Sequence, residues 1–263
     1  MTLGLAQKTA PGIVLCLSGA DTCSGTDTTH RPPGRRFKTR RFTPMAKLFD
    51  ERYLLRIGPM TWQILSTALK DASHLLRENK NFKMSFNVAP RHLLSDGFIK
   101  ALRDIVVGAS VSARQIVLEV TERSELPSIE GAAAVVKELR ELGFRVAMDD
   151  VGVGNSGLSQ IKGLGANTIK IDKFFIDTIT EDEAAATIVA MLVRLAHDLR
   201  MTVVAEGIET SEQIQALIAC GVEEGQGYVV SPPLPFSNFS ELLQNRRAKA
   251  LAEGSVRQAA LVA

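Results

Sequence analysis

The sequence predicts an α/β fold built on a parallel sheet. Three observations carry this reading. From Lys83 to Leu251, short apolar runs alternate with stretches of helical apolar spacing, giving six strand–helix units. Strands separated by single helices are joined by right-handed crossovers and lie parallel. Finally, strand after strand stops at or near an oxygen-bearing side chain; in parallel sheets the carboxyl ends of the strands form the rim where active sites lie. The alternation alone leaves two architectures open, a doubly wound open sheet and a (βα)8-type barrel with two strands not visible.

The elements follow in order. Met60 to Leu76 carries Ile64, Leu65, Ala68, Leu69, Ala72, Leu75 and Leu76 at helical spacing. A strand is predicted over Lys83–Val88, a helix around His92–Ile105 and a strand over Ile116–Thr121. A helix over Glu130–Leu142 stops at Gly143, a residue suited to a helix C-terminus. The strand Arg145–Asp149 comes next, then the strand Thr168–Asp172. A long helix from Thr180 to Arg200 opens on a Thr180-x-x-Glu183 capping box, and Thr210-x-x-Gln213 caps the helix after the strand Thr202–Glu206. Gly227–Val230 reads as the last strand and Phe239–Leu251 as the last helix.

Residues 1–41 differ from the rest. They are rich in Thr, Gly, Arg and Pro, lack an apolar period after Leu17, and hold the basic tract Arg31–Arg41. The expected organisation is an irregular N-terminal segment at 1–41, a barrel domain at 42–252 and a tail at 253–263. The charge balance, 31 basic against 29 acidic residues, predicts no binding to a nucleic-acid polymer. No apolar run approaches the ~18 residues of a membrane span, so no membrane partner is expected. Three cysteines with no C-x-x-C spacing point to a reducing compartment, and a cytoplasmic location is expected.

The strand ends carry the chemistry. Asn87 ends the first strand. Glu119 lies near the end of the second, with Glu122 in the following turn. Asp149 and Asp150 end the third, Lys170 lies in the fourth, Glu206 ends the fifth with Glu209 just beyond, and Gln226 precedes the last. Carboxylates gathered on one rim repel by about 4 kcal/mol per pair at ~4 Å and an effective dielectric of ~20. Divalent cations relieve that cost, and oxygen donors suit Mg²⁺ or Mn²⁺ over zinc. The four histidines have no ligand spacing. Gly152, Gly154 and Gly157 also spell G-x-G-x-x-G, with Asp172 20 residues after Gly152, but a pyrophosphate there would meet two aspartates.

The segments F-N-V-A-P-R-H-L around Asn87, L-E-V-T-E (118–122), D-D-V-G-V-G-N-S-G-L (149–158), I-K-I-D-K-F-F-I (169–176), A-E-G-I-E-T (205–210) and G-Q-G-Y-V-V-S-P-P (225–233) resemble, in order, the signature of EAL-domain cyclic di-GMP phosphodiesterases. The resemblance runs from about Phe42 to Leu251. It implies a modified TIM-type (βα)8 barrel, here with the first two strands lacking or altered, and hydrolysis of cyclic di-GMP to linear pGpG with two Mg²⁺ or Mn²⁺ ions. By the same resemblance Asn87, Glu119 and Asp149 hold one ion, and Asp149, Asp150 and Glu206 the other. Lys170 positions or deprotonates the attacking water. Glu122 anchors the loop after Asp150, Gln226 and Glu209 help fix site and substrate, and a homodimer is among the implied partners. One motif departs: the family's E-x-L-x-R is absent, and the place its spacing reaches, Cys23-Ser-Gly-Thr-Asp27, contains no Glu. In the family that Glu is a metal ligand and that Arg contacts substrate phosphate. The expected consequence is impaired turnover, with an inactive cyclic di-GMP-binding or protein-interaction module as the alternative.

Overall fold

A computed structural model describes residues 2–4, 13–16, 51–121, 128–152 and 157–252. Six strands, β3 (Lys83–Asn87), β4 (Ile116–Thr121), β5 (Arg145–Val151), β6 (Thr168–Ile171), β7 (Thr202–Ala205) and β8 (Glu224–Gln226), lie parallel in chain order. β1 (Thr2–Gly4) adds parallel to β8, and β2 (Ile13–Cys16) adds antiparallel to β3. The sheet therefore runs β1-β8-β7-β6-β5-β4-β3-β2.

The sheet is curled, and one contact demonstrates it. Lys83 at the start of β3 lies 4.0 Å from Glu224 at the start of β8, although four strands stand between them in the sheet order. At about 4.8 Å per strand a flat sheet would hold them more than ~20 Å apart. The architecture is an incomplete TIM-like barrel. β1 and β2 are its two ends and are not paired with each other.

Helices cover the outside. α1 (Glu51–Glu78) buries Leu65, Leu69, Ala72 and Leu76, spaced by four, three and four residues along one face. Each such leucine contributes roughly 2 kcal/mol of burial. Gln115 secures the end of this helix: its side-chain amide donates to the carbonyls of Leu76 and Asn79 at 2.8 Å and of Phe82 at 3.0 Å. These include carbonyls that the last helical turn leaves without partners.

Three expected elements differ in detail. The helix expected at His92–Ile105 is two, α2 (Pro90–Leu93) and α3 (Phe98–Gly108), because Gly97 takes a left-handed φ of 77° between them. After α4 (Ile129–Glu141), α5 (Gly157–Leu164) and α6 (Lys173–Thr178), the long helix α7 is Glu183–Asp198. Its N-cap is Asp182, whose carboxylate accepts from Ala184 N at 2.8 Å, so Thr180 does not cap it. The box at Thr210 and Gln213 does form at the start of α8 (Ser211–Ala219). The last strand stops at Gln226, and Gly227–Val230 is turn rather than strand, held by Val229 N donating to Ile208 O at 3.0 Å. α9 (Phe236–Ala252) closes the described chain.

His92 sits between Trp62 and Phe98, with ring centroids at 4.8 and 5.1 Å. Its Nδ1 is buried with no hydrogen-bond partner among the described residues. Burial pulls the imidazole below its ordinary value of 6.5. Below that value the unfolded chain takes up a proton that the folded imidazole refuses, so stability present above pH 6.5 is lost as pH falls toward the folded value. His92→Phe is expected to shrink the fall in urea midpoint between about pH 7.5 and about pH 5.5. An equal fall in variant and wild type would assign the acid sensitivity elsewhere.

Candidate metal centre

Side chains along a strand alternate between faces, and the register of this sheet aligns one face across the strands. Asn87 stands opposite Glu119, and Thr121 opposite Asp149. Glu119 and Thr121 are two apart and share a face, as do Ala147 and Asp149; Ala147 in turn pairs with Thr168, two before Lys170. The acids, the lysine and the asparagine thus meet at the carboxyl end of the sheet through simple period-two geometry.

Asp150 breaks that period. As the neighbour of Asp149 it should face the other way. Instead it takes a left-handed φ of 58°, and the β5–β6 register shifts between Met148 and Val151. The irregularity turns both carboxylates toward one place. Oxygens of Asp149, Asp150 and Glu206 lie within 4.8 Å of one another. Left-handed backbone costs a non-glycine residue about 1 kcal/mol, with aspartate among the tolerant types. Thr121 Oγ1 donates to Asp150 Oδ2 at 3.3 Å and steadies it.

Lys170 occupies the middle of this acid group and is 1% exposed. Its Nζ lies 2.9 Å from Glu119 Oε2, 2.9 Å from Asp149 Oδ1, and in direct contact with Glu206 Oε1. Gln226 Nε2 donates to that same Glu206 oxygen at 2.5 Å. The Glu119 oxygens have no well-aligned hydrogen-bond partner among the described residues. Burial raises the Glu119 carboxyl above its ordinary value, with the Asp149 charge pushing the same way and Lys170 and Ser85 opposing. One lysine is thus set against four carboxyl groups, a formal charge of −3 with all of them ionised. An all-oxygen donor set with uncompensated charge and a buried carboxylate lacking aligned donors fits hard divalent cations.

The chain after β7 is clasped to the chain after β8. Ile208 N donates to Gln226 O and Val229 N donates to Ile208 O, both at 3.0 Å. The approach is close enough that a Cβ on Gly227 would lie 2.1 Å from the Ile208 carbonyl oxygen. Only glycine fits there, and the clasp fixes Glu206 relative to Gln226.

The structure therefore brings Asn87, Glu119, Asp149, Asp150, Lys170, Glu206 and Gln226 to the carboxyl ends of β3 through β8. Glu209 stands apart on the surface, accepting from Lys173 Nζ at 2.7 Å. Glu122 lies outside the described residues. Asp172, the ribose-binding candidate of the dinucleotide reading, is spent on capping α6, with Phe174 N donating to its carboxylate at 2.7 Å. Thr121, Ser85 and Lys173 were not singled out from the sequence. The signal for the first two was available: each lies two residues from an expected ligand in a strand, hence on the same face.

A family model described as the EAL domain matches residues 30–233. The chain belongs to the EAL-domain family. A curated relative, the probable cyclic di-GMP phosphodiesterase PdeB of Escherichia coli K12, is 35% identical over 181 residues, covering 69% of this chain and 34% of PdeB. The chain spans about a third of the length of the curated relatives it matches first. Among solved structures, the EAL domain of Mycobacterium smegmatis DcpA is 30% identical with a TM-score of 0.68, over 73% of this chain and 86% of that one. Klebsiella pneumoniae BlrP1, in a manganese and cyclic di-GMP complex, is 30% identical with a TM-score of 0.60, over 65% of this chain and 43% of that one. Among the described residues of this EAL domain, no helix is long and apolar enough to cross a membrane.

Proposed function

We propose that this EAL domain binds cyclic di-GMP at the carboxylate rim and hydrolyses it to linear pGpG with two Mg²⁺ or Mn²⁺ ions. The observation that carries the reading is the convergence of Asp149, Asp150 and Glu206 oxygens within 4.8 Å, beside a buried Glu119 and around Lys170. Charge favours two ions over one. Four carboxylates against one lysine leave −3; one divalent ion leaves −1, whereas two leave +1, which complements the single negative charge of a phosphodiester.

Asn87, Glu119 and Asp149 would hold one ion, and Asp149, Asp150 and Glu206 the other. Such ions, when bound, supply Lewis acidity: they lower the pKa of a water and stabilise both oxygens of an in-line displacement. The chain supplies position. Lys170 contacts Glu119, Asp149 and Glu206; it would space those acids and position or deprotonate the attacking water. Gln226 fixes the Glu206 carboxylate by donating to it. The bulge at Asp150 holds that carboxylate on the side of the other acids at the cost of local backbone strain.

The absence of E-x-L-x-R removes one expected metal ligand and one phosphate contact. Slow turnover is therefore expected from the full chain with Mn²⁺, read as pGpG by chromatography. Several powers of ten in rate are at stake, at ~1.4 kcal/mol each. Asp149→Ala is expected to abolish what remains. Calorimetry with Ca²⁺ in place of Mn²⁺ separates the second reading, a binding module, which the missing motif favours: heat without any pGpG in Mn²⁺ assigns that role. Neither heat nor product would refute both.

A further inference from the structure

The opposite end of the barrel carries a second concentration of charge, of the other sign. A cavity of about 540 Å³ lies where β5 and β6 begin. Four cationic side chains line it, from Arg114, Lys137, Arg140 and Arg145, against the single acid Glu141. That is a local +3, larger than the +2 of the entire chain. No ion pair of these four cations is present among the described residues.

The lining is organised. Arg140 is anchored by donating to Gly165 O at 2.7 Å, which sets its guanidinium in place. Asn167 spends its side-chain oxygen on Val146 N at 3.0 Å and its backbone N on Val146 O at 2.8 Å. Its amide NH₂ is left as a donor in the cavity wall. Gly143 and Phe144 complete that wall. Three guanidinium groups, an amine and an amide donor lining one cavity are suited to donate hydrogen bonds to the oxygens of a multiply charged anion. The volume matches a small-molecule site.

We infer that this cavity binds a phosphate-bearing small molecule carrying two or more phosphate groups. A single phosphate would leave part of the +3 unmatched, whereas a pyrophosphate or nucleoside polyphosphate can span several of the four cations. The site is distinct from the carboxylate rim. It is lined by Arg145, the first residue of β5, and by Asn167, the residue before β6; Asp149 lies about 13 Å further along β5 at ~3.3 Å per residue.

The test titrates the full chain with inorganic pyrophosphate in EDTA, by calorimetry. Without divalent ions the carboxylate rim repels anions, so binding there does not contribute. Dissociation below about 1 mM is expected, weakened at least about tenfold in an Arg114→Glu/Lys137→Glu double variant. Both residues are exposed, and a neutral Arg114→Gln/Lys137→Gln pair, expected to fall between the two, guards against misfolding. An Arg35→Ser/Arg36→Ser/Arg40→Ser/Arg41→Ser variant is expected to bind as the wild type does. ATP in place of pyrophosphate separates a nucleotide preference, seen as tighter binding, from recognition of the polyphosphate alone. No heat at about 10 mM pyrophosphate, or loss in the Arg35–Arg41 variant instead of the cavity variants, would overturn the inference.

Discussion

Lys170→Met is expected to destabilise the metal-free protein by about 3–5 kcal/mol, the range for removing one partner from a buried ionic group. The wild-type ammonium touches Glu119, Asp149 and Glu206, all buried. Methionine fills a similar volume but removes the cation these acids share, leaving neutral donors such as Gln226 Nε2 on Glu206, and the mutual repulsion of the acids then opposes folding. The same repulsion is what a divalent ion relieves. Millimolar Mn²⁺ is therefore expected to raise the melting temperature of Lys170→Met more than that of wild type, by mass action on the folded state. Thermal melts with EDTA and with Mn²⁺ read both halves. Equal Mn²⁺ stabilisation in the two proteins would mean that Lys170 and the ion do not share the same carboxylates.

Gly227→Ala is expected to be comparably severe for a different reason. The added Cβ would meet the Ile208 carbonyl oxygen at 2.1 Å and its nitrogen at 2.2 Å. Both are backbone atoms, so no rotamer change relieves the clash. The chain must separate, and the Ile208–Gln226 and Val229–Ile208 hydrogen bonds go with it. A loss above about 4 kcal/mol falls in the range diagnostic of backbone strain and broken buried networks. Because the clasp also fixes Gln226 on Glu206, Mn²⁺ affinity measured in variant molecules that still fold is expected to fall as well. Unchanged affinity would show that the two loops are held independently. Gly152 differs: its Cβ would meet the Phe175 ring at 2.6 Å, a side chain rather than backbone, and the strain added there comes from its left-handed φ of 101°.

How far the sequence foretold these features depended on the range of the interactions involved. The strand ends at Asn87, Glu119, Asp149 and Glu206 were legible because strand period and parallel alternation are local patterns, and register then aligns the polar ends. The capping box at Thr210 was legible for the same reason. The Thr180 box was not realised, since Asp182 two residues later offers a carboxylate to the same helix start. The split between α2 and α3 follows from Gly97 in left-handed backbone, a detail that apolar spacing does not encode. Gly227–Val230 looked like a strand because it is apolar; it packs as a turn because Ile208, nineteen residues before Gly227, takes its hydrogen bonds. The Lys83–Glu224 contact, the Gln115 staple and the basic cavity arise from distant segments meeting, and no local pattern announces them.

Asp150 locates a tension between folding and chemistry in a single peptide unit. Its left-handed backbone is the conformation a glycine would adopt with ease. Losing the side chain would let the chain relax at this point, yet that same side chain completes the ligand cluster. Robustness and reactivity therefore pull one residue in opposite directions, and an optimum for either would be a compromise for the other.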